Sequence, residues 1–216
     1  MKKAILFGAS GFVGSCLLKD LLNNPDYSEV TVVVRKDLNI SHPRLRTLIG
    51  DYASLPDLKA GIQADEVFIT LGTTKKKTPD EKLYYQIDHD YPVLAAKTAK
   101  ESGAKAVFVV TAVGANAGSG IFYVRTKGET ERDIIALGLE HTHIFRPSMI
   151  MGDRKESRPL ERFLIGLFRV INPVFGSSKY RGIGGAAIAR AMNNAAAGVQ
   201  TEKVKVYHWK EMNELL

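Results

Sequence analysis

Apolar residues in this chain come in short runs, separated by longer stretches in which they recur every three or four positions. Residues 4–7, 30–34, 45–49, 66–71, 106–110 and 141–145 form the short runs, and their length and β-branched content predict strands. Between them, residues 12–22, 81–102 and 123–137 have helical length and spacing, with Gly103 and Gly138 placed as C-terminal stops. Val30, Thr31, Val32, Val33 and Val34 run without polar alternation, as in parallel strands covered by helices on both faces. The alternation predicts an α/β, doubly wound parallel sheet.

After Pro147 the rhythm weakens. An apolar helical face (Phe163, Leu164, Leu167, Phe168, Ile171), an alanine-rich helix over 188–197 and a short strand over 204–207 follow. No internal repeat or linker divides the chain, so residues 1–216 are expected to form one domain, with 148–216 a small helical and strand extension that roofs the substrate side. The 163–171 face suits a core or lid, a dimer surface, or a peripheral membrane contact, in that order.

The chain has 216 residues, 45% hydrophobic and 25% charged, an ordinary globular composition. The N-terminal apolar run is too short for a signal-peptide core. The most apolar later stretch, 163–175, is interrupted by Gly166, Arg169, Asn172 and Pro173 and falls short of the roughly 20 residues of a membrane span. Cys16 is the single cysteine and has no intramolecular disulfide partner; a reducing, cytoplasmic setting is expected. Thirty Lys and Arg against 23 Asp and Glu give a net charge of +7, which favours anionic partners. No basic stripe with interleaved aromatics suggests nucleic acid. Lys75, Lys76 and Lys77 form the densest basic run, either a solvated loop or an anion-attracting rim beside a cofactor.

Gly8-Ala9-Ser10-Gly11-Phe12-Val13-Gly14 follows the first predicted strand and opens the first helix. In that context glycines allow a tight turn and close approach of a pyrophosphate to helix-start amides; Gly11, Phe12 and Val13 are the expected donors. The spacing is G-x-x-G-x-x-G, wider than the usual Rossmann fingerprint, and a ligand-free turn is the alternative. About 20 residues beyond the loop, where an NAD site places an acid for the ribose, stand Arg35 and Lys36. Cations there suit a 2′-phosphate, so NADP(H) is expected ahead of NAD(H); the neighbouring Asp37 is the competing feature. Asp51 and Tyr52 after the third strand, and Gly72 and Thr73 after the fourth, leave the same sheet edge and can touch cofactor, or be ordinary turn residues.

Tyr123 and Lys127 lie four apart on one face of a predicted helix. Reducing a carbonyl requires a proton donor, and a tyrosine serves better beside an ammonium that stabilises its phenolate. The plain alternative is two polar residues on an amphipathic helix.

With these residues in view, the chain resembles the short-chain dehydrogenase/reductase superfamily, specifically atypical short members similar to the Tat-interacting-protein-like oxidoreductases. The likeness runs through Gly8–Gly14, 71–74, 88–91, 110–115, 123–129, 145–148 and 153–159. It implies an NADP(H) cofactor, a Tyr123/Lys127 pair near the nicotinamide with Lys127 reaching the ribose, and Pro147, Ser148 and Met149 bordering the nicotinamide. It also implies a small-molecule carbonyl substrate held by a hydroxyl. Relatives carry two adjacent hydroxyl residues where this chain has Thr111 and Ala112. Thr111, or Ser119, must therefore orient the substrate, or the protein is an NADP(H)-binding regulator with little turnover. A nucleotide-sugar epimerase ranks last, because few residues follow Pro147 to build a substrate domain.

His141 and His143 share a strand face, but no further ligand cluster accompanies them and no metal is expected. A monomer and a homodimer both fit the sequence.

Overall fold

The computed structural model describes residues 1–152 and 181–216; the expected apolar face at 163–171 and the 153–159 segment lie outside the described residues. Seven parallel strands form one sheet in the order β3-β2-β1-β4-β5-β6-β9. They are β1 (Lys2–Phe7), β2 (Tyr27–Val34), β3 (Leu45–Ile49), β4 (Glu66–Ile69), β5 (Ala106–Val110), β6 (His141–Phe145) and β9 (Val204–Tyr207). The chain builds outward from β1 to β3 and then returns to place β4 on the other side of β1. That reversal opens a crevice beyond the C-terminal ends of β1 and β4, where ligands bind in sheets of this kind. The fold is the Rossmann-like α/β arrangement expected.

Helices cover both faces because the strands are apolar on both. On one face, α1 (Phe12–Asn23) and α6 (Gly185–Ala197) pack on Leu6, Val32, Phe68 and Phe108, α1 contributing Leu17, Leu18 and Leu21. On the other, α4 (Tyr91–Glu101) and α5 (Phe122–Ala136) cover Ile5, Val67, Val107 and Ile144. Gly103 and Gly138 have φ of +103° and +68°, the left-handed stops that non-glycine residues adopt at a cost.

Several boundaries differ from expectation. β1 and β2 begin two and three residues early, because Lys2 pairs with Tyr27 in the ladder despite its charge. The 81–102 helix is α3 (Glu81–Tyr85), a π-turn (Gln86–Asp90) and α4 in succession. A single-turn α2 (Leu55–Leu58), a terminal α7 (Trp209–Glu214) and a two-stranded sheet of β7 (Ile150–Met151) and β8 (Ile183–Gly184) had no clear periodic signal. No helix among the described residues is long and apolar enough to cross a membrane.

Candidate functional site

The glycine turn sits at the switch between β1 and β4. Gly8 turns the chain with φ +94°, and the Gly11 amide donates to the Gly8 carbonyl at 2.9 Å. Gly11 was expected to offer that amide outward; the turn itself uses it. Helix α1 starts at Phe12 with no side-chain cap, and its first bond outside the turn runs from Ser15 N–H to the Gly11 carbonyl. The Phe12 and Val13 amides lie ahead of that bond and have no intrahelical acceptor. A Cβ on Gly14 would lie 2.0 Å from the Gly8 carbonyl oxygen, whereas one on Gly11 would meet only that oxygen, at 3.2 Å, and otherwise enter open space. Bare amides, a positive helix end and a hollow above Gly11 fit a pyrophosphate. Ser10 lies exposed on the turn. The Phe12 ring points away toward the C-terminal part: a Cβ on Gly152 or Gly185 would come within 2.1 or 2.3 Å of it.

Arg35 and Lys36 are exposed immediately after β2. The competing acid, Asp37, accepts the Asn39 amide at 2.8 Å, a local turn that occupies one of its oxygens. Asp51 likewise caps its own turn, accepting from the Ala53 and Ser54 amides, and the Ser54 bonds hold its carboxyl below the usual range. Tyr52 stacks on Tyr91 at 3.6 Å between centroids; burial pushes its phenol up, and the Arg35 charge acts in the opposite direction. Arg35 and Tyr52 therefore belong to one neighbourhood.

Lys127 is buried on α5 and forms a 2.6 Å ion pair with Asp88 of the π-turn, itself 1% exposed. The second Asp88 oxygen accepts the Thr73 amide at 2.7 Å, so one carboxylate ties the helix lysine to the loop after β4. A Cβ on Gly72 would stand 3.6 Å from the Lys127 ammonium, which places that cation at the crevice. Tyr123, one turn earlier on the same helix, is 36% exposed. Asp88 was read only as part of a resembling segment. An acid amid the apolar periodicity of 81–102 was the signal for a buried charge partner.

Thr111 departs from expectation. Its hydroxyl donates to Glu131 at 2.5 Å and is buried, so it faces an interior ion pair rather than a substrate. Glu131 is held by Arg146, whose Nε donates to Oε1 at 2.9 Å while Nη2 reaches the other oxygen. Glu131 was missed, although its place four residues after Lys127 on one helix face was a usable signal. The Ser119 Oγ accepts the Ile121 amide at 3.1 Å, and among the described residues its hydroxyl donates to no other group. After β6, the Pro147 carbonyl accepts from Val113 N–H, the Met149 carbonyl from Ile183 N–H, and the Ser148 hydroxyl donates to the Arg181 carbonyl. His143 shares a hydrogen bond with the Tyr207 hydroxyl at 2.9 Å, and His141 with the Glu202 carbonyl.

Three comparisons bear on this site. The profile of a family described as NAD(P)H-binding matches residues 8–162. Protein FMP52, mitochondrial, of Candida albicans is 37% identical over 160 residues, covering 72% of this chain and 70% of that protein. Its namesake in Candida glabrata is 30% identical over 99% of this chain and 95% of its own. Among solved structures, MoeE5 in complex with UDP-glucuronic acid and NAD (TM-score 0.70, 19% identity, 96% of this chain and 76% of that one) has the same fold. So does the UDP-glucose 4-epimerase of Thermotoga maritima (TM-score 0.70, 15% identity, 95% and 76%). The cytoplasmic expectation is corrected by these relatives, whose names place them in mitochondria. A lone cysteine excludes an internal disulfide but does not distinguish one thiol-reducing compartment from another.

Proposed function

The chain belongs to the NAD(P)H-binding family, as a relative of the fungal FMP52 proteins, and from that membership we propose that it is an NADP(H)-dependent oxidoreductase acting on a small carbonyl compound. Phe12 and Val13 amides bind the pyrophosphate, Arg35 and Lys36 select a 2′-phosphate, and Lys127 contacts the ribose. When bound, the dinucleotide supplies a hydride to the carbonyl carbon. Tyr123 gives its phenolic proton to the carbonyl oxygen, and an aldehyde or ketone becomes an alcohol. A tyrosine titrating near its usual value of about 10 is a slow acid–base catalyst unless a cation favours the phenolate; Lys127 is that cation, its field reduced by the Asp88 carboxylate it pairs with. Ser119, rather than Thr111, donates to the substrate oxygen.

The observation that carries this reading is the Lys127 ammonium standing beside Gly72, at the crevice between β1 and β4 and one helical turn from Tyr123. The test titrates NADPH and NADH, then follows NADPH oxidation with a panel of aldehydes, ketones and quinones. Turnover of at least one compound is expected, and Tyr123→Phe should lower it by about 10²-fold or more while NADPH still binds. Tight NADPH binding with no turnover on any compound would favour a second reading, an NADP(H)-binding regulatory protein. Ala112 and the inward-facing Thr111 hydroxyl support that alternative.

A further inference from the structure

Residue 122 precedes the proposed acid, Tyr123, on the first turn of α5, at the sheet edge where the glycine turn and the Gly72 loop also lie. The Phe122 ring is approached by two cations. The Lys75 ammonium stands 5.2 Å from its centroid and the Arg125 guanidinium 5.9 Å, while Tyr84 meets its edge at 5.6 Å. Lys75 comes from the loop after β4 and Arg125 from α5, so two separate elements bring positive charge to one aromatic ring.

Their compensation is unequal. Lys75 is paired with Glu81. Arg125 is half-buried, and its Nη1 donates to the Ser119 and Gly120 carbonyls at 3.2 and 3.4 Å. It makes no ion pair among the described residues. Those carbonyls belong to the loop that leads into α5 and carries Ser119, so the guanidinium is held toward the loop side of the helix start. Lys76 is exposed and also unpaired among the described residues. The acids nearby are engaged: Glu81 with Lys75, Asp80 as the cap of α3, accepting the Leu83 amide at 2.6 Å, and Glu129, four residues after Arg125 on α5, with the Tyr85 hydroxyl. A partly desolvated guanidinium whose other donors have no partner among the described residues, at the same ring as a lysine, suits a carboxylate or phosphate.

We propose that the Arg125 guanidinium, with Lys75 at the same Phe122 ring, recognises an anionic group on the carbonyl substrate, making the preferred class a carboxylated or phosphorylated aldehyde or ketone. The inference rests on the oxidoreductase reading for the reaction but concerns only the end of the substrate remote from the carbonyl.

The experiment compares 4-carboxybenzaldehyde with its methyl ester, which differs in charge while keeping the aldehyde and ring. Expected for the wild type is a higher kcat/KM for the carboxylate, with the preference shrinking as salt is raised. Arg125→Ala should reduce the carboxylate-to-ester ratio roughly tenfold or more, Arg125→Lys should retain part of it, and Lys75→Ala should reduce it a few-fold. An equal loss on both compounds in Arg125→Ala would mean that the arginine only supports the Ser119 loop, and would overturn the proposal. So would a wild type that treats the two alike. If neither compound is reduced, the oxidoreductase reading is what suffers, and the same ratio is read by calorimetric binding of both compounds to the NADPH-loaded protein. Equal binding would then end the anion proposal as well.

Discussion

Helix α1 has two ends treated in opposite ways. At its C-terminal end, by the edge where the strands begin, Arg44 donates to the Asn24 and Tyr27 carbonyls at 2.6 and 2.9 Å and also to Leu22. Nearby, Glu66 takes Lys2 at 2.7 Å and the Tyr27 hydroxyl at 2.5 Å. The negative end of the helix is thus closed by a cation from the protein itself. At the N-terminal end no side chain caps the helix, and the turn before it is glycine. Side chains that satisfy a helix end stabilise the fold; leaving the other end open reserves its charge for something that arrives later.

The largest test of this contrast is Gly14→Ala. The added methyl would press on the Gly8 backbone, so a loss of about 3 kcal/mol in denaturant unfolding is expected, with NADPH affinity falling in the protein that remains folded. The sheet between the two ends gives the next. Burial holds His143 down to about 4 from its ordinary 6.5, so the unfolded chain takes up a proton that the native state refuses. Stability is whole above pH 6.5 and falls as pH drops toward 4, by about 2–3 kcal/mol. His143→Leu should flatten that slope in urea titrations at several pH values, leaving cofactor affinity at neutral pH as it was. Arg44→Ala opens the closed end and should lower stability by about 2 kcal/mol without changing the NADPH dissociation constant; a change there would break the separation of the two ends. The smallest effect is expected from Arg35→Ala, which should reduce the preference for NADPH over NADH about tenfold, or about 1.4 kcal/mol, in paired calorimetric titrations.

The strands and the glycine turn were legible because their signals are local. Val30–Val34 needs burial on both sides whatever lies there, and Gly8 to Gly14 needs only its neighbours to turn. That Tyr123 and Lys127 lie one helical turn apart was legible for the same reason. Asp88 was not, since its value depends on Lys127, far along the chain, and on a π-turn that breaks the regular period. The role assigned to Thr111 failed similarly: a hydroxyl at a strand end is available until a glutamate from the following helix takes it. Arg125 stood in the sequence only within the resembling 123–129 segment; its contacts with Phe122 and the Ser119 carbonyl come from the fold.

What the amino-acid order determined alone is the layered α/β plan and the place of the dinucleotide turn, because hydrophobic period and glycine geometry act over a few residues. That the Thr111 hydroxyl turns to Glu131 and that Lys127 pairs with Asp88 were decided only when distant segments met. Electrostatic and hydrogen-bonding capacity belongs to a neighbourhood, and packing the chain is what creates the neighbourhood.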